Sequence, residues 1–220
     1  MTRIAFSLAV LAALAAGVAA QLTPRDIITR LEKNLLSIES FQADFEQSSY
    51  QSAVSTPLRE KGRVAFQKPE RMRWDYADPE PKTFVFKEGL LLSYFPEDKQ
   101  LWRQRIPSEQ SENDILGLLS GKARLADKYA LELSPFPGAG PNAAQIKLTP
   151  KQDEDNEYIL LEVDQKSWLI RRAVLFDWAG NKTEFVFSKA RTNIRLAKDA
   201  FDIKVPPDCE VIDGEAPRKK

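Results

Sequence analysis

The chain offers little from which to build a reaction. Its 220 residues contain no histidine and one cysteine, Cys209. Histidine is the commonest general base near neutral pH and a leading ligand for transition metals. A lone thiol without an imidazole makes no thiol dyad. Neither a glycine-rich phosphate loop nor a serine in a nucleophile elbow is present. Carboxylates are the remaining chemical resource. Their densest run, Asp153-Glu154-Asp155, falls between two strand-like segments, where a solvated hairpin tip is the better reading. It also lacks the spaced oxygens and the glycine of a calcium loop. These residues argue against an enzyme, and no cofactor or metal is expected.

What the chain does supply is large apolar side chains on strand-like segments. Met72, Trp74, Phe84, Phe86, Tyr94 and Trp102 stand out. Residue by residue, plain core packing explains them at least as well as contact with a ligand. Taken together on one curved sheet, they would line a pocket-shaped interior.

The elements that must position them can be read from periodicity. Thr23 can cap a helix whose first position is Pro24, with Asp26 at the capping-box position. Ile27, Leu31, Leu35 and Ile38 then repeat as one apolar stripe, predicting an amphipathic helix over roughly 24–38. The period next changes to two. Phe41, Ala43 and Phe45 alternate with Gln42, Asp44 and Glu46, and Met72, Trp74 and Tyr76 alternate with Arg71, Arg73 and Asp75. Val64 with Phe66 and Phe84 with Phe86 mark further strands. Others are predicted near 90–95, 100–105, 129–134, 144–149, 157–164, 168–177 and 182–190. Glu88-Gly89, Pro96 to Lys99 and Ala179-Gly180-Asn181 read as turns. Ser108 to Ser120 reads as a short helix stopped by Gly121, and 196–201 as one helical turn. The Pro- and Gly-rich stretch 135–141 cannot be regular structure. About eleven short strands with hairpin-length connections predict a mainly β, α+β fold: an incomplete antiparallel half-barrel with helices on its concave face.

Met1 to Ala20 reads as a secretory signal peptide, with Arg3 in a short basic region and small residues before Gln21. The expected product is one exported, periplasmic domain over 21–220. No second apolar run approaches the about 20 residues of a membrane span. No cysteine stands near residue 21, so lipidation at that position is not expected. Basic and acidic residues balance at 32 each, which excludes a strong electrostatic case for nucleic acid or anionic membranes. Cys209 is expected to be buried as a small apolar residue.

Several segments resemble the periplasmic outer-membrane lipoprotein carrier (LolA) family. Phe41-Gln42-Ala43-Asp44-Phe45-Glu46-Gln47 is similar to its opening-strand motif. Gly62-Arg63-Val64-Ala65-Phe66 with Lys68-Pro69-Glu70-Arg71-Met72-Arg73-Trp74-Asp75-Tyr76 is similar to its most distinctive stretch. Ile115 to Gly121 resembles its leucine-rich lid helix, and Asp177 to Thr183 a late hairpin. Asn193, Phe201, Val205-Pro206-Pro207 and Val211-Ile212 resemble its C-terminal pattern.

The resemblance implies a hydrophobic cavity under a helical lid. The partners it implies are acylated lipoproteins, an inner-membrane ATP-driven lipoprotein-releasing transporter and an outer-membrane receptor. A monomer is expected, with no nucleic-acid partner. The cavity would be formed by Phe45, Phe66, Met72, Trp74, Phe84, Phe86 and Tyr94, and the lid by Ile115, Leu116, Leu118 and Leu119. Lys68 stands where well-known members carry an arginine that ties sheet to lid, so it would latch the lid through lid-helix carbonyls. Met72→Glu would then impair cargo binding without unfolding the protein. The competing reading is a periplasmic protein that binds lipids or small hydrophobic ligands on the same scaffold.

Overall fold

The structure, a computed structural model, describes residues 22–106, 124–152 and 156–214. Helix α1 spans Pro24–Ser37 and starts as its sequence dictates. The Thr23 hydroxyl accepts the Asp26 amide at 3.1 Å, while the Asp26 carboxylate accepts the Thr23 amide at 3.0 Å. Two otherwise unpaired donors of the first turn are thereby satisfied. Ile27, Ile28, Leu31 and Leu35 are buried along one stripe, each worth about 1.5–3 kcal/mol of hydrophobic stabilisation. A short helix α2 (Leu125–Lys128) docks beside it, where the Leu125 amide donates to the Glu32 carboxylate at 2.6 Å.

Twelve described strands form one open sheet. They are β1 (Ser40–Tyr50), β2 (Leu58–Gln67), β3 (Arg71–Asp78), β4 (Lys82–Lys87), β5 (Leu90–Phe95), β6 (Gln100–Arg105), β7 (Tyr129–Leu133), β8 (Ala143–Pro150), β9 (Asn156–Asp164), β10 (Ile170–Asp177), β11 (Lys182–Thr192) and β12 (Glu210–Asp213). Their spatial order is β12-β6-β5-β4-β3-β2-β1-β11-β10-β9-β8-β7. Two runs of antiparallel hairpins therefore meet where β1 pairs with β11. That seam is fastened at its start: the Ser40 hydroxyl donates to the Ile194 carbonyl at 2.6 Å, and the Glu39 amide donates to Asn193 Oδ1 at 2.8 Å. The expected open half-barrel is the observed fold.

Two details differ from the sequence reading, and three predicted segments fall outside the described residues. A twelfth strand, β12, pairs with β6 in parallel, so the sheet is not wholly antiparallel. Residues 196–201 form turns rather than a helical element, with the Ala200 amide donating to the Ala197 carbonyl at 3.1 Å. The predicted helix at 108–120 and the acidic run at 153–155 lie outside the described residues, as does the signal segment 1–20.

The sheet carries a separate core on each face. The inner face, defined as the one covered by α1, joins the helix stripe to Phe41, Ala43, Phe45, Val64, Met72, Ile146, Leu161 and Val163. The outer face of β4–β6 holds a second cluster, in which Phe201 buries Val85, Leu92 and Leu101. Polar bonds anchor the segment that brings Phe201 there. Arg73 donates to the Asp202 carbonyl at 2.9 Å, Lys87 pairs with the Asp202 carboxylate at 2.7 Å, and Arg103 pairs with Asp213 through two 3.0 Å bonds. Cys209 is half-buried against this cluster. The stretch 135–141 also lies against the outer face. There the Gln145 side chain brackets Phe136, and the Arg172 guanidinium sits 4.9 Å from the Phe136 ring centroid.

Candidate functional site

Strand register collects the site. Phe45 on β1 faces Gly62 on β2 and Phe187 on β11; Gly62 faces Tyr76 on β3; Trp74 faces Phe84 on β4. All these side chains point to the inner face, because the period-two alternation carries across each aligned pair. The Phe45 ring lies 4.8 Å from Trp74 and 4.9 Å from Tyr76, both edge-on. Trp74 contacts Phe185 at 5.6 Å, Tyr76 contacts Phe84 at 5.8 Å, and Phe84 contacts Phe95 at 6.0 Å. Edge-on pairs at these separations add about 0.5–1.5 kcal/mol each beyond burial, so the patch is held rigidly.

Gly62 is what permits it. A Cβ at this position would overlap the Asp75 carbonyl oxygen and come within 2.8 Å of the Phe45 ring. The ring therefore lies over bare backbone, at the register shift between Lys61 and Gly62. This is a place where a glycine allows close approach of a neighbouring group.

The expected cavity residues divide into three groups. Phe45, Phe66, Met72 and Phe86 are buried in the main core with α1, so they form a floor. Trp74 and Phe84 are half-buried and present ring surface on the inner face. Tyr94 lies on the opposite face. It pairs with Thr83 across from Phe84 and packs with Leu92, Leu101 and Phe201 in the outer cluster. The structure separates Tyr94 from the others because the two-residue turn Glu88-Gly89 pairs Phe86 with Leu91, which leaves odd-numbered residues of β5 facing inward. Both turn residues have positive φ, 54° and 72°, as a tight hairpin of this kind requires.

Met72 is only 3% exposed, and Trp74 Nε1 lies 3.0 Å from its sulfur. A glutamate there would bury a charge, which costs several kcal/mol or forces its protonation. Met72→Glu is therefore expected to destabilise the protein, contrary to the sequence-based expectation. The lid residues Ile115, Leu116, Leu118 and Leu119 lie outside the described residues. Among the described residues, Lys68 Nζ donates to the Leu36 carbonyl at 2.5 Å, and Glu39 lies 3.9 Å away. Its observed partner is thus the last turn of α1, where a cation also complements the helix dipole.

Sequence reasoning missed Phe185, Phe187 and Phe95, and missed Tyr76 as a site residue. Their signal was present in alternation: Tyr76 continues the Met72-Trp74 series, and Phe185 and Phe187 alternate on β11. Also missed was a polar row beside the rings. Tyr76 donates its hydroxyl to Gln47 Oε1 at 2.7 Å, and Lys82 pairs with Glu60 at 2.5 Å. Burial, helped by the nearby Glu60 carboxylate, holds the Tyr76 hydroxyl well above its ordinary pKa of 10.0. It remains a neutral hydrogen-bonding group throughout the physiological range.

Two open depressions of about 460 and 520 Å³ lie on the outer face around Asp44, Arg63 and Lys189. Lys189 and Arg63 hold the Asp44 carboxyl below its usual range through hydrogen bonds. This charged surface is unlike the aromatic patch across the sheet. Among the described residues no group of three or more His, Cys, Asp or Glu could hold a metal, and no helix is long and apolar enough to cross a membrane.

Comparison with known proteins bears on the same region. The chain is 29% identical over 197 residues to the outer-membrane lipoprotein carrier protein of Methylococcus capsulatus, covering 89% of this chain and 90% of that one. It is 24% identical over 212 residues to the protein of the same name from Chromobacterium violaceum, covering 96% and 98%. Among solved structures, an uncharacterized conserved protein from Thermus thermophilus superposes with a TM-score of 0.57 at 16% identity, covering 86% of this chain and 98% of that one. MucB superposes with a TM-score of 0.51 at 19% identity, covering 86% and 65%. These two likenesses are of fold. The family described as outer membrane lipoprotein carrier protein LolA matches residues 36–204, a stretch that runs from the end of α1 past the β1–β11 seam to the segment that carries Phe201, and the chain belongs to that family.

Proposed function

We propose that the mature protein is a periplasmic carrier that receives acylated lipoproteins from an inner-membrane ATP-driven transporter and delivers them to an outer-membrane receptor. The observation that carries this reading is the half-buried inner-face patch of Trp74, Tyr76, Phe84 and Phe185, backed by a fully buried floor, in a chain of the lipoprotein carrier family. An acyl chain in water costs about 0.8 kcal/mol per CH₂. Rigid aromatic surface offsets that cost without folding anything new, so cargo can leave again. Ile115, Leu116, Leu118 and Leu119 would close over the patch, and Lys68 would hold α1 in place beneath them. Removal of residues 1–20 on export would release the carrier.

The test uses mature protein and a synthetic diacylated lipopeptide, with binding followed by tryptophan fluorescence. Phe84→Asp and Phe185→Asp place a charge at half-buried positions and should weaken binding at least ten-fold while thermal unfolding shows a folded domain. Wild-type-like binding by both variants would refute the site. Binding of free fatty acid but not of lipopeptide would favour a small-ligand carrier instead.

A further inference from the structure

The inner face is not apolar throughout. Beside the aromatic patch runs a row of four polar side chains placed by register: Gln47 opposite Glu60, and Tyr76 opposite Lys82. Glu60 is 5% exposed, a costly place for a carboxylate. Replacing a buried ion pair by apolar residues of similar volume is often neutral or stabilising. The pair is nonetheless tightly made. Lys82 Nζ lies 2.5 Å from Glu60 Oε1 and 4.6 Å from the centre of the Tyr76 ring. Tyr76 reaches Gln47, whose amide donates to the Ser49 hydroxyl at 3.1 Å.

Among the described residues the row keeps unspent capacity. An ammonium has three donors, and the bond to Glu60 uses one. The Gln47 amide has two N–H groups, and the bond to Ser49 uses one. These donors border ring surface, so acyl chains lying on the rings would exclude water there and make a hydrogen bond to an acceptor worth more. Glu60 cancels the charge of Lys82, so the row presents donors without net positive charge. A neutral acceptor suits it better than a phosphate.

We propose that Gln47, Glu60, Tyr76 and Lys82 form a polar subsite that holds the ester carbonyls of a diacylglyceryl head while the acyl chains lie on the neighbouring rings. This rests on the carrier reading above and deepens it. Lys82 and Gln47 donate to the carbonyl oxygens. Glu60 fixes Lys82 and disfavours an anionic head, which separates lipoprotein from phospholipid.

The test compares two synthetic lipopeptides on mature protein: one with two ester-linked palmitoyl chains, the other with the same chains linked as ethers and so lacking the carbonyls. Wild type should prefer the ester probe by about ten-fold, the effect of one hydrogen bond to a charged donor. The double variant Glu60→Gln/Lys82→Met removes both charges at similar volume and should bind the two probes equally. Gln47→Leu, which leaves the ion pair intact, should lower the preference in part and guards against misfolding of the double variant. Equal binding of the two probes by wild type, or an undiminished preference in both variants, overturns the subsite. If wild type binds neither probe, the carrier reading itself fails, a result distinct from equal binding of both.

Discussion

Replacing Gly62 by alanine should destabilise this protein, against the usual sign of the change in a strand. Glycine in a strand interior ordinarily costs about 0.5–1 kcal/mol relative to alanine, because it loses more backbone freedom on folding. Here the added methyl has nowhere to go. It would overlap the Asp75 carbonyl oxygen and meet two ring atoms of Phe45 at 2.8 Å. The carbonyl belongs to backbone held in the β2–β3 ladder, and the ring is wedged between Trp74 and Tyr76. Neither can yield without moving a strand or the aromatic patch. Overpacking a well-filled core costs about 1–3 kcal/mol, and a backbone clash puts this case near the upper end. At about 2–4 °C per kcal/mol for a domain of this size class, Tm should fall by roughly 6–12 °C. Thermal unfolding followed by far-ultraviolet circular dichroism, with urea unfolding as a second measure, reads this directly. A variant that melts at or above the parent temperature would refute the claim that Phe45 needs bare backbone at position 62.

Other substitutions test the rest of the framework. Leu31→Ala should cost about 2–5 kcal/mol and Phe201→Ala about 3–5 kcal/mol, since each side chain is buried in a well-packed cluster. Because the two clusters lie on opposite faces of the sheet, urea unfolding of the double variant should show the costs adding to within about 0.5 kcal/mol. Lys68→Ala removes the bond to the Leu36 carbonyl and should loosen the last turn of α1 by about 0.5–1.5 kcal/mol, seen as faster amide exchange there and little change elsewhere. Asp164 is held below its ordinary value of 3.8, chiefly by the Ser167 amide, which outweighs burial, and further by the Ser167 hydroxyl, the Lys166 amide and Arg171. A lowered folded value means that the stabilisation is present above 3.8 and is lost as the pH falls below it. The Tm difference between wild type and Asp164→Asn should therefore be largest near neutrality and shrink below that point; a constant difference down to pH 2 would contradict it.

Local rules carried much of the reading. Thr23, Pro24 and Asp26 define the start of α1 through bonds between residues three apart, so a few letters suffice. Alternation identified eleven of the twelve described strands, because facing in or out repeats within a strand. It missed β12, whose Val211 is exposed and whose partner β6 lies about 110 residues away. Cavity residues were harder. Phe45, Phe66, Met72 and Phe86 look the same in sequence as Trp74 and Phe84, yet only the latter present surface, because α1 and the core it joins cover the others.

The sequence by itself determined α1, eleven of the twelve described strands, the hairpin turns between them, the poverty of catalytic groups and the family. Each depends on neighbours in the chain or on composition. Tertiary structure decided how faces align from strand to strand. The Glu88-Gly89 turn sets the phase between β4 and β5 and sends Tyr94 to the outer cluster. It also decided that β1 closes on β11, through bonds between residues 154 apart, which brings Phe185 and Phe187 beside Trp74. Periodicity assigns a face within one strand only; register and long-range pairing are needed to say which faces are shared. The chain's poverty of reactive groups thus has a positive counterpart: a rigid aromatic surface with a polar row at its edge, assembled from β1 to β5 and β11.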